Sequence, residues 1–102
     1  MERICLADAA KIPPGESRGF QIDENRLVVV CNVAGTYHAL GGTCPHRGAS
    51  MAQGTLDGPT LTCPWHGWRF DATTGRGVTN PHSSVPVHRV VVEDGKLVLE
   101  VD

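Results

Sequence analysis

Cys44-Pro45-His46 and Cys63-Pro64-Trp65-His66 place two cysteine–histidine pairs in the middle of a 102-residue chain, with sixteen residues between His46 and Cys63. Each pair carries one soft thiolate and one imidazole, so two loops together supply two sulfur and two nitrogen ligands. Such a set binds zinc, or a [2Fe–2S] cluster in which histidines replace two cysteines on one iron. A structural zinc finger usually spaces its cysteines by about two to four residues and its histidines by about three to five. Here each loop gives one ligand of each kind. A cluster with two cysteines on one iron and two histidines on the other needs each loop to reach both metals, which mixed pairs do. The spacing favours the cluster, with a zinc-stabilised interaction module as the weaker alternative.

Length bounds the rest. One hundred and two residues suffice for one core, but not for a multi-cofactor enzyme. The formal net charge of −2 argues against nucleic acid and against a basic membrane-binding face. No apolar run approaches a membrane span; the longest, Leu27 to Cys31, reads as one strand. Met1 to Pro14 lacks a charged-then-apolar export pattern, so a cytoplasmic protein is expected. Cys5 and Cys31 lie in apolar strand-like runs, Ile4-Cys5-Leu6 and Val28-Val29-Val30-Cys31, and are expected to be buried thiols rather than a disulfide.

The chain reads as all-β. Strand-forming runs cover Arg3 to Ala7, Gly19 to Ile22, Leu27 to Val33, Thr36 to Leu40, Thr60 to Thr62, Arg69 to Asp71, Val85 to Val92 and Lys96 to Val101. Between them stand turn residues that supply positive φ, preset φ or cap their own backbone, and Asp94-Gly95 marks the clearest hairpin. No segment shows sustained helical periodicity with caps. Gly41 to Gly54 and Cys63 to Gly67 are rich in Gly, Pro, Cys and His. With a short strand pair around Leu56 and Leu61, they read as a small lobe inserted in the main β domain, with the ligands at its loop tips.

Cys-Pro-His-Arg-Gly-Ala and Cys-Pro-Trp-His-Gly-Trp-Arg-Phe-Asp resemble the two cluster-binding boxes of Rieske proteins. Length and β pattern match across nearly the whole chain, as in the stand-alone Rieske-type ferredoxins of aromatic-ring-hydroxylating dioxygenase systems. The resemblance implies a Rieske fold, an antiparallel β-sandwich of small sheets. Residues 1–102 would form a single domain, with a cluster-binding lobe at about 41–82. It implies one [2Fe–2S] cluster, with Cys44 and Cys63 on the inner iron and His46 and His66 on the outer. Pro81, in Asn80-Pro81-His82, resembles the proline-containing third loop that covers the cluster. Gly48 and Gly67 allow close backbone approach. Arg47, Trp65, Trp68 and His82 are candidates for docking or for contact around the cluster. His38 and His88 read as surface or edge residues.

Two ferric ions, two sulfides and two thiolates sum to zero charge, so an electron is accepted more easily than by an all-cysteine cluster near about −400 mV. Two departures lower the expectation within the Rieske range. Quinol-oxidising Rieske subunits carry an extra cysteine in each box, where this chain has Ala49 and Trp65. They also carry serine and tyrosine hydroxyls that hydrogen-bond cluster sulfurs, where this chain has Trp68 and Phe70. Such bonds stabilise the reduced cluster and raise its potential. A low-potential carrier at about −200 to −50 mV is expected.

There is no dinucleotide-binding glycine fingerprint and no two-histidine, one-carboxylate set for a mononuclear iron oxygenase. The resemblance therefore implies a carrier and not an enzyme. It would be a monomeric ferredoxin passing electrons from a flavin-containing ferredoxin reductase to a terminal Rieske oxygenase. Its acidic residues would steer a basic partner. The alternative is a Rieske-type small subunit of a larger reductase, such as an assimilatory nitrite reductase.

Overall fold

The computed structural model describes residues 2–24, 26–43, 50–51, 54–64, 67–80 and 83–101. They form nine strands and one short 3-10 turn (Ala9–Lys11): β1 Glu2–Asp8, β2 Ser17–Gln21, β3 Leu27–Val33, β4 Thr36–Gly41, β5 Thr55–Asp57, β6 Thr60–Thr62, β7 Arg69–Asp71, β8 Val87–Glu93 and β9 Lys96–Val101. All the strand pairings are antiparallel. Six strands run in the order β1-β9-β8-β4-β3-β2, and a separate sheet runs β5-β6-β7.

The larger sheet is two halves. β4 meets β8 through only Ala39↔His88 and Leu40↔Val87, whereas β3 meets β4 over six pairs. That narrow seam lets the halves turn toward each other. Val28 and Val30 of β3, with Ala39 of β4, pack in one core with Leu97, Leu99 and Val101 of β9 and with Ile12. On the opposite face, Val29 and Cys31 join Leu40, Met51, Leu61, Cys63, Phe70, Ala72 and Val85 beneath the small sheet. β3 is therefore buried on both faces, which its uninterrupted apolar run requires.

Turn chemistry sets the register. Ala34 and Gly35 (φ 52° and 93°) join β3 to β4, and Asp94 and Gly95 (φ 53° and 76°) join β8 to β9. Both are two-residue hairpins with positive φ at both centres, which matches the twist of the flanking strands. Asn32, 2 % exposed, lies in the interior fully bonded. Its Nδ2 donates to the Ile12 carbonyl at 2.8 Å, and its Oδ1 accepts from the Gly35 amide at 2.8 Å. Its own amide donates to the Glu16 carbonyl and its carbonyl accepts from the Gly15 amide, both at 2.9 Å. One buried amide thus pins the approach to β2 and the β3–β4 turn.

Three expectations need correction. Cys5 is exposed, because β1 turns Ile4 and Leu6 toward the core and leaves the residue between them outward. It is not disulfide-bonded to Cys31, which is fully buried. His38 is half-buried on β4, an interior strand held between β3 and β8, rather than a surface or edge residue. The lobe's strand pair is a three-stranded sheet, since β7 adds to β6.

Candidate metal centre

Backbone hydrogen bonds fix the roots of three loops. For the first, Thr43 and Ser50 form a bridge, and the Met51 amide donates to the Gly42 carbonyl at 2.7 Å. Met51 is fully buried in the core beneath the small sheet, which anchors this root. The second loop leaves β6 at Thr62 and returns at Arg69, a register pair, with the Cys63 amide donating to the Trp68 carbonyl at 2.6 Å. Gly67 closes that turn at φ 70°, a left-handed conformation that glycine adopts without steric cost. Among the described residues no atom stands within 4 Å of where its Cβ would be. Gly67 thus holds a backbone conformation that a side chain would strain.

The third loop is tied to the second. The Val78 amide donates to the Arg69 carbonyl at 2.8 Å, and the Arg69 amide donates to Thr79 Oγ1 at 3.0 Å. Gly77 donates to the Ser83 carbonyl at 2.8 Å, and Ser83 to the Asn80 carbonyl at 3.0 Å. Gly75, at φ 77°, brings this segment so close to the main domain that a Cβ there would overlap the Val85 carbonyl oxygen. The small sheet and the loop roots are one packed unit.

Of the four ligand candidates only Cys63 lies among the described residues. Cys44, His46 and His66 lie outside them, as do Arg47, Gly48, Trp65, Pro81 and His82. Cys63 is 1 % exposed, within the apolar core of Met51, Leu61 and Phe70. Trp68, half-buried, packs against that core. Pro64 and Gly67, on the loop between them, are exposed. A bare thiolate in such a site would be costly, whereas a metal-bound thiolate shares its charge with the ion. A buried cysteine at the root of an exposed loop bearing a histidine therefore fits a metal group with its sulfur side inward. Phe70, fully buried, brings no hydroxyl to this core.

Cys31 is the buried thiol expected of it, and Asp71 is a neighbour that sequence reasoning missed. Burial pushes the Cys31 thiol, in the same core as Cys63, up to about 12, so it stays a neutral packing group. Asp71, at the far end of β7, accepts from the Thr73 hydroxyl at 2.6 Å and the Thr73 amide at 2.8 Å. Those bonds hold its carboxyl below the usual range, with a smaller contribution from the charge of His38. The Asp71-Ala72-Thr73-Thr74-Gly75 sequence carries the signal for such a turn.

The chain is 35 % identical to the 3-phenylpropionate/cinnamic acid dioxygenase ferredoxin subunit of Shigella flexneri serotype 5b (strain 8401), over 99 % of this chain and 95 % of that one. It superposes with a TM-score of 0.88 on a chain of the complex of reduced oxygenase and oxidized ferredoxin in carbazole 1,9a-dioxygenase, at 28 % identity, covering 95 % of this chain and 91 % of that one. A protein proposed to be the small subunit of an NADH-dependent nitrite reductase from Mycobacterium tuberculosis shares the fold at a TM-score of 0.86 and 24 % identity, covering 99 % and 96 %. The family model of the Rieske [2Fe-2S] domain matches residues 2–95. With its antiparallel sheets and buried Cys63, the chain belongs to the Rieske [2Fe–2S] domain family.

Proposed function

We propose that this protein is a low-potential electron-transfer ferredoxin of an aromatic-ring-hydroxylating dioxygenase system. It takes electrons from a flavin-containing reductase and delivers them to a terminal Rieske oxygenase. The observation that carries this reading is the match to a dioxygenase ferredoxin subunit over nearly the full length of both chains. The nitrite reductase alternative is favoured by likeness of fold alone.

Residues 1–102 act as one domain, with residues 41–82 as the lobe that holds the metal group. Cys44 and Cys63 hold the inner iron, and His46 and His66 the outer. When bound, the [2Fe–2S] cluster supplies a one-electron couple. The chain does the rest. Met51, Leu61 and Phe70 keep water from the Cys63 side, and the bonded roots hold the ligand loops in place. The exposed stretch at Pro64 and Gly67 keeps the opposite side open to a partner. Phe70, and Trp68 with no hydroxyl, support a potential at the low end of the Rieske range.

A redox titration followed by electron paramagnetic resonance tests this. The expected result is a rhombic Rieske-type signal with a midpoint at about −200 to −50 mV. A midpoint above about +100 mV would remove the low-potential reading. Zinc without acid-labile sulfide would remove electron transfer altogether.

A further inference from the structure

On the larger sheet, Leu97, Leu99 and Val101 of β9 point into the core, so Lys96, Val98 and Glu100 between them point outward. The register gives their neighbours on β1 and β8, and residues directly opposite in antiparallel strands share a face. They stand in rows: Arg3–Glu100–Arg89 first, Cys5–Val98–Val91 in the middle and Asp8–Lys96–Glu93 last. The signs run plus, minus, plus in the first row and minus, plus, minus in the last, with an uncharged row between. The bulge between Cys5 and Ala7 completes this pattern. It adds Leu6 to β1 and so sets Asp8, rather than Ala7, opposite Lys96.

The first row nets +1 and the last −1, so these rows are neutral together although the chain carries −2. Their charges have partners on their own face: Arg3 and Arg89 with Glu100, Lys96 with Asp8, and Arg3 with Glu93 across the middle row. Arg3, Asp8, Arg89, Glu93 and Lys96 nevertheless remain exposed, as does Cys5. Solvated pairs of this kind contribute little, and a carboxylate that has one donor can accept another. The face is also remote from the candidate centre. β3 turns Val28 and Val30 toward β9, and Val29 and Cys31 toward Cys63. The three strands therefore form one outer side of the molecule and the small sheet the other.

We infer that the outer face of β1, β9 and β8 binds a second copy of this chain. A half-turn about the middle row lays each strand antiparallel over itself and sets the first row of one copy over the last row of the other. Arg3 then meets Asp8, Glu100 meets Lys96 and Arg89 meets Glu93, each pair made twice. Cys5, Val98 and Val91 each meet their own counterpart. Aligned sheets pack at about 30° to one another, an offset that these long side chains span. Arg3 exchanges Glu93 of its own chain for Asp8 of the second copy, which uncovers Val98 for packing. Such a contact is isologous and closes at two copies, with both loop ends left facing outward. This replaces the expectation of a monomer and does not depend on the carrier reading. A face three strands wide is smaller than a standard interface, so association is weak and sensitive to concentration and salt.

The test is sedimentation equilibrium of the holoprotein in low salt, from about 0.02 to about 1 mM protein. The apparent mass should rise from one chain toward two, and return to one in about 0.5 M salt. R89E and E93R each set like charges over one another, so each alone should stay a single chain. Mixed in equal amounts they should associate, because one variant carries two carboxylates at these positions and the other two guanidinium groups. K96E and E100K make the same exchange on β9 and serve if a variant of the first pair fails to fold. R18E, equal to R89E in net charge but placed on β2, should dimerise like the unaltered chain. Cys5 gives a second readout, since it lies on the rotation axis and facing sheets stand about 10 Å apart. A short bismaleimide should join Cys5 to Cys5 of the second copy. The yield should fall about tenfold in R89E or in high salt, and C5S should give none. A single-chain mass at about 1 mM in low salt overturns the interface. So does a mixture of R89E and E93R that fails to associate, or a dimer in which Cys5 does not cross-link. R18E weakening the dimer as much as R89E does overturns this face as its site.

Discussion

The Cys63 amide donates to the Trp68 carbonyl at 2.6 Å, so the loop carrying one ligand candidate and flanking another is closed on itself before any metal is considered. Gly67 makes that closure possible with φ 70°. Gly67→Ala puts a Cβ into a left-handed conformation at a cost of about 1–2 kcal/mol. The protein is expected to unfold at lower temperature and to hold less acid-labile sulfide per chain. Thermal denaturation and sulfide analysis of the same preparation check both.

Gly75 does a different job. Gly75→Ala combines positive φ with overlap against the Val85 carbonyl, so the third loop and the start of β8 must separate. A loss of about 2–4 kcal/mol is expected in urea denaturation, above that of Gly67→Ala. Equal losses at the two positions would show that contact with Val85 contributes nothing.

Asn32 is the interior polar clamp. Asn32→Leu leaves the Gly35 amide without its partner and the Ile12 carbonyl with only the Tyr37 hydroxyl at 3.2 Å, which is expected to cost about 1–3 kcal/mol. Hydrogen exchange should then quicken at Gly35 and in the Ile12–Gly15 segment before it does in β9.

Cys31 gives stability a pH dependence of known sign. Its thiol is pushed up to about 12 in the fold, from 9.0. Below pH 9 both states hold the proton and the residue contributes no slope. Above it the unfolded chain ionises while the folded chain does not, so stability falls by about 1.4 kcal/mol per pH unit until the folded thiol itself titrates. Cys31→Val removes this component. The difference between the two proteins in chemical denaturation at pH 8 and pH 10.5 isolates it. In the native state a thiol reagent should modify the exposed Cys5 and spare Cys31.

Much of this was legible along the chain because its signals are local. β3, β6, β7 and β9 occupy the residues their composition indicates, and Asp94-Gly95 makes the expected hairpin. Burial was harder to read. Ile4, Cys5 and Leu6 are all apolar, so no alternation marks which one faces outward; β1's pairing with β9 decides it. His38 looked peripheral because nothing nearby in sequence reveals that β8 pairs along β4. At the candidate centre, ligand spacing singled out Cys63. The core behind it is assembled from β3, β4, Met51 and Val85, segments far apart in the chain.

β3 serves two cores at once, and this bears on how the loop end responds to an added electron. The barrier to electron transfer rises with the distance the surroundings must relax when the charge changes. Val29 and Cys31 form the wall behind Cys63, and they cannot recede without pressing Val28 and Val30 into the packing with β9. A dense interior of this kind yields little. With Cys63 as a ligand, the protein side of the centre would therefore contribute a small reorganisation energy, and most of the relaxation would fall to the water and the partner at the exposed side.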